Sequence, residues 1–318
     1  MLTINNYNTR EQTFRGCALF HKNSAKQIID ESYKKIDKDS PEFIRECYRF
    51  FRSTFNRPTE INVESERLMD IVNSQEGSIF IMNHTSKSIF DVFAAKFFNA
   101  LLYREYLYKD IADKCPRSKV LANSKILAHK ADGGEKYRWM GVLPLKVGLG
   151  DKNAKTENSK LMDKVAQEIS ENKTNLFVFP EGALLSLSFL PLKYKFQPGI
   201  SAIVKRVLEL KESVNVIPLG FAHNFKESSI YIGKPVKFSK EDGEYYASSG
   251  NINSLFADDK LVKFFSYHKS KKITENGNPI GKDKIVPYIS GILSANLNCC
   301  KKEAEAALEH TNSKVFEI

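Results

Sequence analysis

Two kinds of hydrophobic pattern alternate through the middle of the chain. Ser78–Met82, Leu176–Phe179, Val214–Phe221 and Ser229–Ile232 are short runs rich in Ile, Val and Phe, bounded by turn residues, as strands are. Between them, Ser88–Tyr103, Ser159–Glu171 and Gly199–Glu212 repeat their apolar residues at helical spacing. Strands that alternate with helices predict an α/β fold, a mostly parallel central sheet flanked by helices. On this reading residues 1–60 form an N-terminal helical region and residues 61–240 the α/β core. Residues 241–318 form a basic loop and a helical C-terminal tail of the same domain.

In the N-terminal region Ser40 fits a helix N-cap, with Pro41 at the first helical position. Phe43, Ile44, Cys47, Tyr48, Phe51 and Phe55 then recur at helical spacing, and Arg45, Arg49 and Arg52 line another face. Such a helix either packs its aromatic face on the core or lies on an anionic membrane surface. After the core, Tyr267–Lys284 is basic and turn-rich, and "KKEAEAALEH" favours helix through its Ala and Glu.

Composition narrows the partners. A formal charge of +10 favours an anionic one, whether a membrane surface, a phosphorylated small molecule or nucleic acid, and also fits a plain solvated basic surface. The chain has no recognition helix, RNA-binding signature or zinc module, which weighs against nucleic acid. Its five cysteines show no C-x-x-C spacing and no histidine placed to complete a metal site, as expected for free thiols in a reducing cytosol. The first residues lack the basic-then-apolar pattern of a secretory leader. The most apolar long segment, Ile89–Tyr103, is interrupted by Asp91, Lys96 and Asn99 and falls short of the ~20 apolar residues of a spanning helix. Work on lipid is therefore expected from the cytoplasmic surface of a membrane.

Two stretches carry chemistry. In "IMNHTSKSIFD", residues 81–91, the histidine ends a strand and Ser88 with Asp91 fits a capping box at the start of the next helix. His84 would stand near a helix N-terminus, where backbone N–H groups favour developing negative charge. An acceptor at one ring nitrogen would leave the other as a base, and Asp91 is placed to supply it. The same residues also fit an ordinary strand end followed by a capped helix. In "NLFVFPEGALLS", residues 175–186, Pro180 stops a buried-type strand and puts Glu181 and Gly182 on a turn beyond it. Gly182 permits close approach of a ligand to the backbone, and Glu181 can bond a polyol hydroxyl. A simple turn fits as well.

Taken in order, these residues resemble the glycerolipid acyltransferases related to 1-acylglycerol-3-phosphate acyltransferase. Asn83-His84 with Asp91 resembles that family's first motif, and Phe179-Pro180-Glu181-Gly182 the first half of its third. "LPLKYKFQPGISAIVKR" resembles the usual sequel, "VNVIPLGF" the fourth motif, and "IYIGKPVKF" the Gly-Lys-Pro hairpin that often follows. The resemblance covers Ile61–Ser239. It implies transfer of a fatty acyl group from acyl-CoA or acyl carrier protein to a glycerolipid hydroxyl, with no cofactor beyond that co-substrate and no metal. It implies His84 and Asp91 as the catalytic pair, and Asn83, Ser88, Glu181 and Gly182 as substrate contacts.

Three departures from the family's motifs bear on the site, the first on the reach of His84 to Asp91 and the other two on the acceptor. Six residues separate His84 from Asp91 where the family has four, so a two-residue insertion lies between His84 and Ser88. Ala183-Leu184-Leu185 replaces the Thr-Arg-Ser of the third motif, removing an arginine that would hold a phosphate. In "GVLPLKVG", Lys146 stands where the second motif has arginine, without arginine's bidentate fork. Lys193 and Lys195 would compensate as phosphate ligands or form a solvated turn. Phe90, Phe93, Phe97 and Phe98 either line an acyl groove or belong to the core. The competing reading is a non-catalytic lipid-binding protein that retains the fold. A covalent acyl-enzyme is not expected, because no G-x-S-x-G elbow is present.

Overall fold

The computed structural model describes residues 61–62, 65–84, 88–124, 141–146, 153–180, 199–223, 228–242, 244–248 and 285–315. Among them nine strands share one sheet: β1 (Ile61–Asn62), β2 (Ile79–Met82), β3 (Arg117–Asn123), β4 (Val142–Leu145), β5 (Thr174–Val178), β6 (Ser213–His223), β7 (Ser228–Ile232), β8 (Val236–Glu241) and β9 (Glu244–Ala247). They are accompanied by α1 (Ser65–Ser74), α2 (Ser88–Tyr108), α3 (Ala154–Ser170), α4 (Gly199–Leu208) and α5 (Ile285–Val315). The helix expected from Ser40 and the loop Tyr267–Lys284 lie outside the described residues.

Along the sheet the order is β1-β7-β6-β2-β5-β3-β4. Strands β6, β2, β5, β3 and β4 are mutually parallel, in agreement with the α/β expectation. Parallel neighbours need long crossovers, and α2, α3 and α4 lie in them. Side chains alternate across the sheet. Phe80, Met82, Phe177 and Phe179 join α1 and α2 in one cluster, while Ile79, Ile81, Leu176 and Val178 join α3, α4 and α5 in another. Every residue of β2 and β5 is buried, so the site's supporting strands are the least able to shift.

On the α2 face Phe80 stacks on Phe177, with ring centroids 4.8 Å apart, and Phe98 meets Phe80 edge-on at 5.4 Å. Ala94, Ala95, Phe98, Leu101, Leu102 and Tyr106 are all buried. These residues are core, while Leu107 and Tyr108 at the end of α2 are exposed. No described helix is long and apolar enough to cross a membrane.

Element ends differ from the sequence reading in three helices. α2 continues to Tyr108, α3 begins at Ala154, and α4 stops at Leu208. The early turn of α3 is polar apart from buried Ala154, so apolar spacing registers the helix late. The segment after β7 is not a hairpin. β7 pairs with Leu219–His223 of β6 and β8 with Ser213–Val216, and the two do not pair with each other. They divide one edge of β6 at Pro218, whose carbonyl accepts the Gly233 N–H at 2.8 Å. A proline lacks the donor a continuous ladder needs, and the changeover falls there.

Burial pushes the Tyr106 hydroxyl up to about 12, with nearby Cys115 adding to it. Below pH 10, the ordinary tyrosine value, folded and unfolded chains both hold the proton and stability is complete. Between there and about 12 the unfolded chain loses it first, so stability falls as the pH rises through that window. Urea titrations at about pH 9 and about pH 11.5 are expected to show a smaller alkaline loss in Tyr106→Phe than in the parent. An equal loss in both would remove Tyr106 as its source.

Candidate functional site

Because five strands are parallel, their C-terminal ends share one edge, where ligands gather in open α/β sheets. Asn83 and His84 leave β2 there, Phe179 and Pro180 leave β5, and Lys146 leaves β4. β6 runs beyond its last pairing with β2, Leu219 opposite Met82, as far as His223.

His84 follows Phe80 and Met82 onto the α2 face of the sheet and is half-buried. Its imidazole stacks on the Phe179 ring at 5.0 Å with an interplanar angle of 24°. Phe179 is itself buried, and the Phe80–Phe177 stack lies behind it in the core. Stacking engages the face of a ring and fixes its plane, while the nitrogens lie in that plane. A ring on such a support turns little.

Asn83, 2 % exposed, points along the sheet. Its Oδ1 accepts the Phe221 N–H at 2.7 Å and its Nδ2 donates to the Phe221 carbonyl at 2.9 Å. Its carboxamide is thus engaged with β6.

α2 begins at Ser88 and docks on the same face of the sheet as the His84 stack, through Phe98. Asp91 lies in its first turn. The side chains of Ser88 and Asp91, and residues 85–87, lie outside the described residues, as do Glu181, Gly182, Lys193 and Lys195. Pro180, just before Glu181, is buried at the edge.

Lys146 is at the same edge but three strands from β2, roughly 14 Å at ~4.8 Å per strand. Its backbone N–H donates to Asn158 Oδ1 and its carbonyl accepts from Asn158 Nδ2, both at 2.9 Å. Its ammonium pairs with Glu157 at 2.7 Å, the two side chains 40 % and 51 % exposed. Among the described residues no three His, Cys, Asp or Glu side chains converge on a common point.

Three partners went unrecognised in the sequence. Phe179 follows Phe177 at the two-residue period of a strand, a signal sufficient to place it on the His84 face. Phe221 is 138 residues from Asn83, and only the strand register brings them together. Asn158 holds Lys146 from a helix whose beginning apolar spacing registers late.

A family model described as acyltransferase matches residues 60–222, just over half of the chain. The match ends at Ala222 near the end of β6, so it includes His84, Asp91 and Phe179 and stops before β7, β8, β9 and α5. No curated protein matches the chain.

Proposed function

The chain belongs to the acyltransferase family, and from that membership we propose that it moves a fatty acyl group from acyl-CoA or acyl carrier protein to a hydroxyl of a lysophospholipid or other glycerolipid acceptor. His84 is the general base in this reading. The observation that carries it is the half-buried imidazole stacked on Phe179 at the C-terminal edge of the parallel sheet, inside the family-matched segment.

His84, oriented by Asp91, takes the proton from the acceptor hydroxyl as its oxygen bonds to the thioester carbonyl carbon. Backbone N–H groups at the start of α2, near Ser88, face the oxyanion. The C–S bond then breaks, and the proton held by His84 passes to the leaving thiolate. Gly182 lets the substrate approach the backbone, and Glu181 accepts a hydrogen bond from a glycerol hydroxyl.

Phosphate recognition falls to lysines, since Leu184 and its neighbours replace the arginine of the resembled motif. Lys146 can exchange Glu157 for a phosphate at small cost, because an ion pair this exposed is worth about 0–1 kcal/mol. Lys193 and Lys195 serve the same end. The formal charge of +10 fits work at an anionic membrane surface on its cytoplasmic face.

The test is incubation with long-chain acyl-CoA and with acyl carrier protein, each against lysophospholipid, glycerol phosphate and neutral glycerolipid acceptors, with products identified by mass spectrometry. An esterified glycerolipid is the expected product. Binding to anionic vesicles with no ester from either donor would favour a lipid-binding protein that retains the fold.

A further inference from the structure

Beyond Met82, β2 leaves β6 while β6 continues. The N–H and carbonyl of Phe221 face that departing strand, and the Asn83 side chain takes both. A carboxamide carries a carbonyl acceptor and an N–H donor side by side, so its pairing with Phe221 adds a rung to the sheet where the backbone of β2 can no longer do so. Asn83 Nδ2 also lies 3.5 Å from the His84 carbonyl, a long contact beside its two shorter bonds to Phe221. On the other side of β2 the imidazole rests on Phe179, at the end of β5. His84 is thereby referenced to both neighbours of its strand.

We infer that Asn83 is a positioning residue that fixes His84 through the Phe221 backbone, and that it does not contact substrate. The inference rests on His84 being the base, and it revises the substrate contact implied by the family resemblance. At 2 % exposure, with both ends of its amide engaged on Phe221, Asn83 has no face to offer a ligand. Its loss moves the base, and displacements of about 1 Å at a reacting group reach 10²-fold in rate.

Asn83→Ala removes the rung. Asn83→Asp keeps the size and the acceptor but sets a second oxygen against the Phe221 carbonyl, and it carries the test if the alanine variant does not fold. Val207→Ala, in the buried face of α4, controls for lost stability alone. Steady-state kinetics well below the melting temperature, with His84→Ala and the Asn83→Ala/His84→Ala pair alongside, separate the outcomes. The expected result is kcat lower by about 10–100-fold in both Asn83 variants, unchanged KM values, and a double variant no slower than His84→Ala. A raised acceptor KM at parental kcat would make Asn83 a substrate contact and overturn the inference. Parental kcat in both variants, or an equal loss in Val207→Ala, would also overturn it. Parental kcat in His84→Ala would instead remove the base reading, and the positioning role with it.

Discussion

His84→Ala is expected to lower kcat by about 10²–10⁴-fold, the usual contribution of a positioned general base, while the protein stays folded. The two halves of this expectation come from different contacts. Catalysis loses the imidazole, the side chain most often used for proton transfer. Stability loses one ring-on-ring contact with Phe179 at a half-buried position, worth about 0.5–1.5 kcal/mol beyond burial, or a few degrees in Tm. Asn83 and the strand before it remain in place. Ester formation followed by mass spectrometry, with a thermal melt on the same sample, checks both halves. Parental kcat in a folded His84→Ala protein would exclude His84 as the base. A collapsed melt would mean that the residue supports the strand end.

Gly220→Ala is expected to be the most damaging small substitution in the sheet. A Cβ built there lies 1.9 Å from the Cys300 carbonyl oxygen and 2.2 Å from its carbon. Both are backbone atoms of α5, so no rotamer change relieves the overlap and helix and strand must separate. Overpacking of this kind costs about 1–3 kcal/mol, occasionally more, or roughly 2–5 °C in Tm for a chain of this length. Gly199→Ala is the matched control, since among the described residues its Cβ would meet Met162 Cε at 3.5 Å, an ordinary contact. Gly220 lies inside the family-matched segment and Cys300 outside it, so the experiment also tests whether α5 completes the acyltransferase core. A Gly220→Ala melt equal to that of Gly199→Ala would contradict the close packing of α5 on β6.

The readability of the sequence follows from how many faces each element buries. β2 and β5 are covered on both sides and read as apolar runs from the sequence alone. β3, "RSKVLAN", did not stand out, because Lys119 sits in its middle and reaches Glu168 of α3 instead of entering a core. β8 and β9 are short, with a single buried–exposed–buried alternation at the start of β8 and four residues in β9, so neither carries a sustained apolar run. The C-terminal helix was legible from Ala and Glu in its second half. Its first half, from Ile289 to Cys300, is buried on nearly every side, which removes the amphipathic rhythm that marks a helix. His84 was found because a strand end, a histidine and a helix start are consecutive in the chain. The Asn83–Phe221 contact was not, because it depends on β2 and β6 being neighbours, and no local pattern encodes a register between segments so far apart.

The most direct test of the central claim is the ratio of ester formed to thiol released when the purified chain meets long-chain acyl-CoA with and without a lysophospholipid acceptor. Acyl transfer to a hydroxyl through His84 predicts a ratio of about one, with thiol release that depends on the acceptor. Thiol release that is equally fast without acceptor and yields free fatty acid would contradict it, since the chain would then direct the acyl group to water.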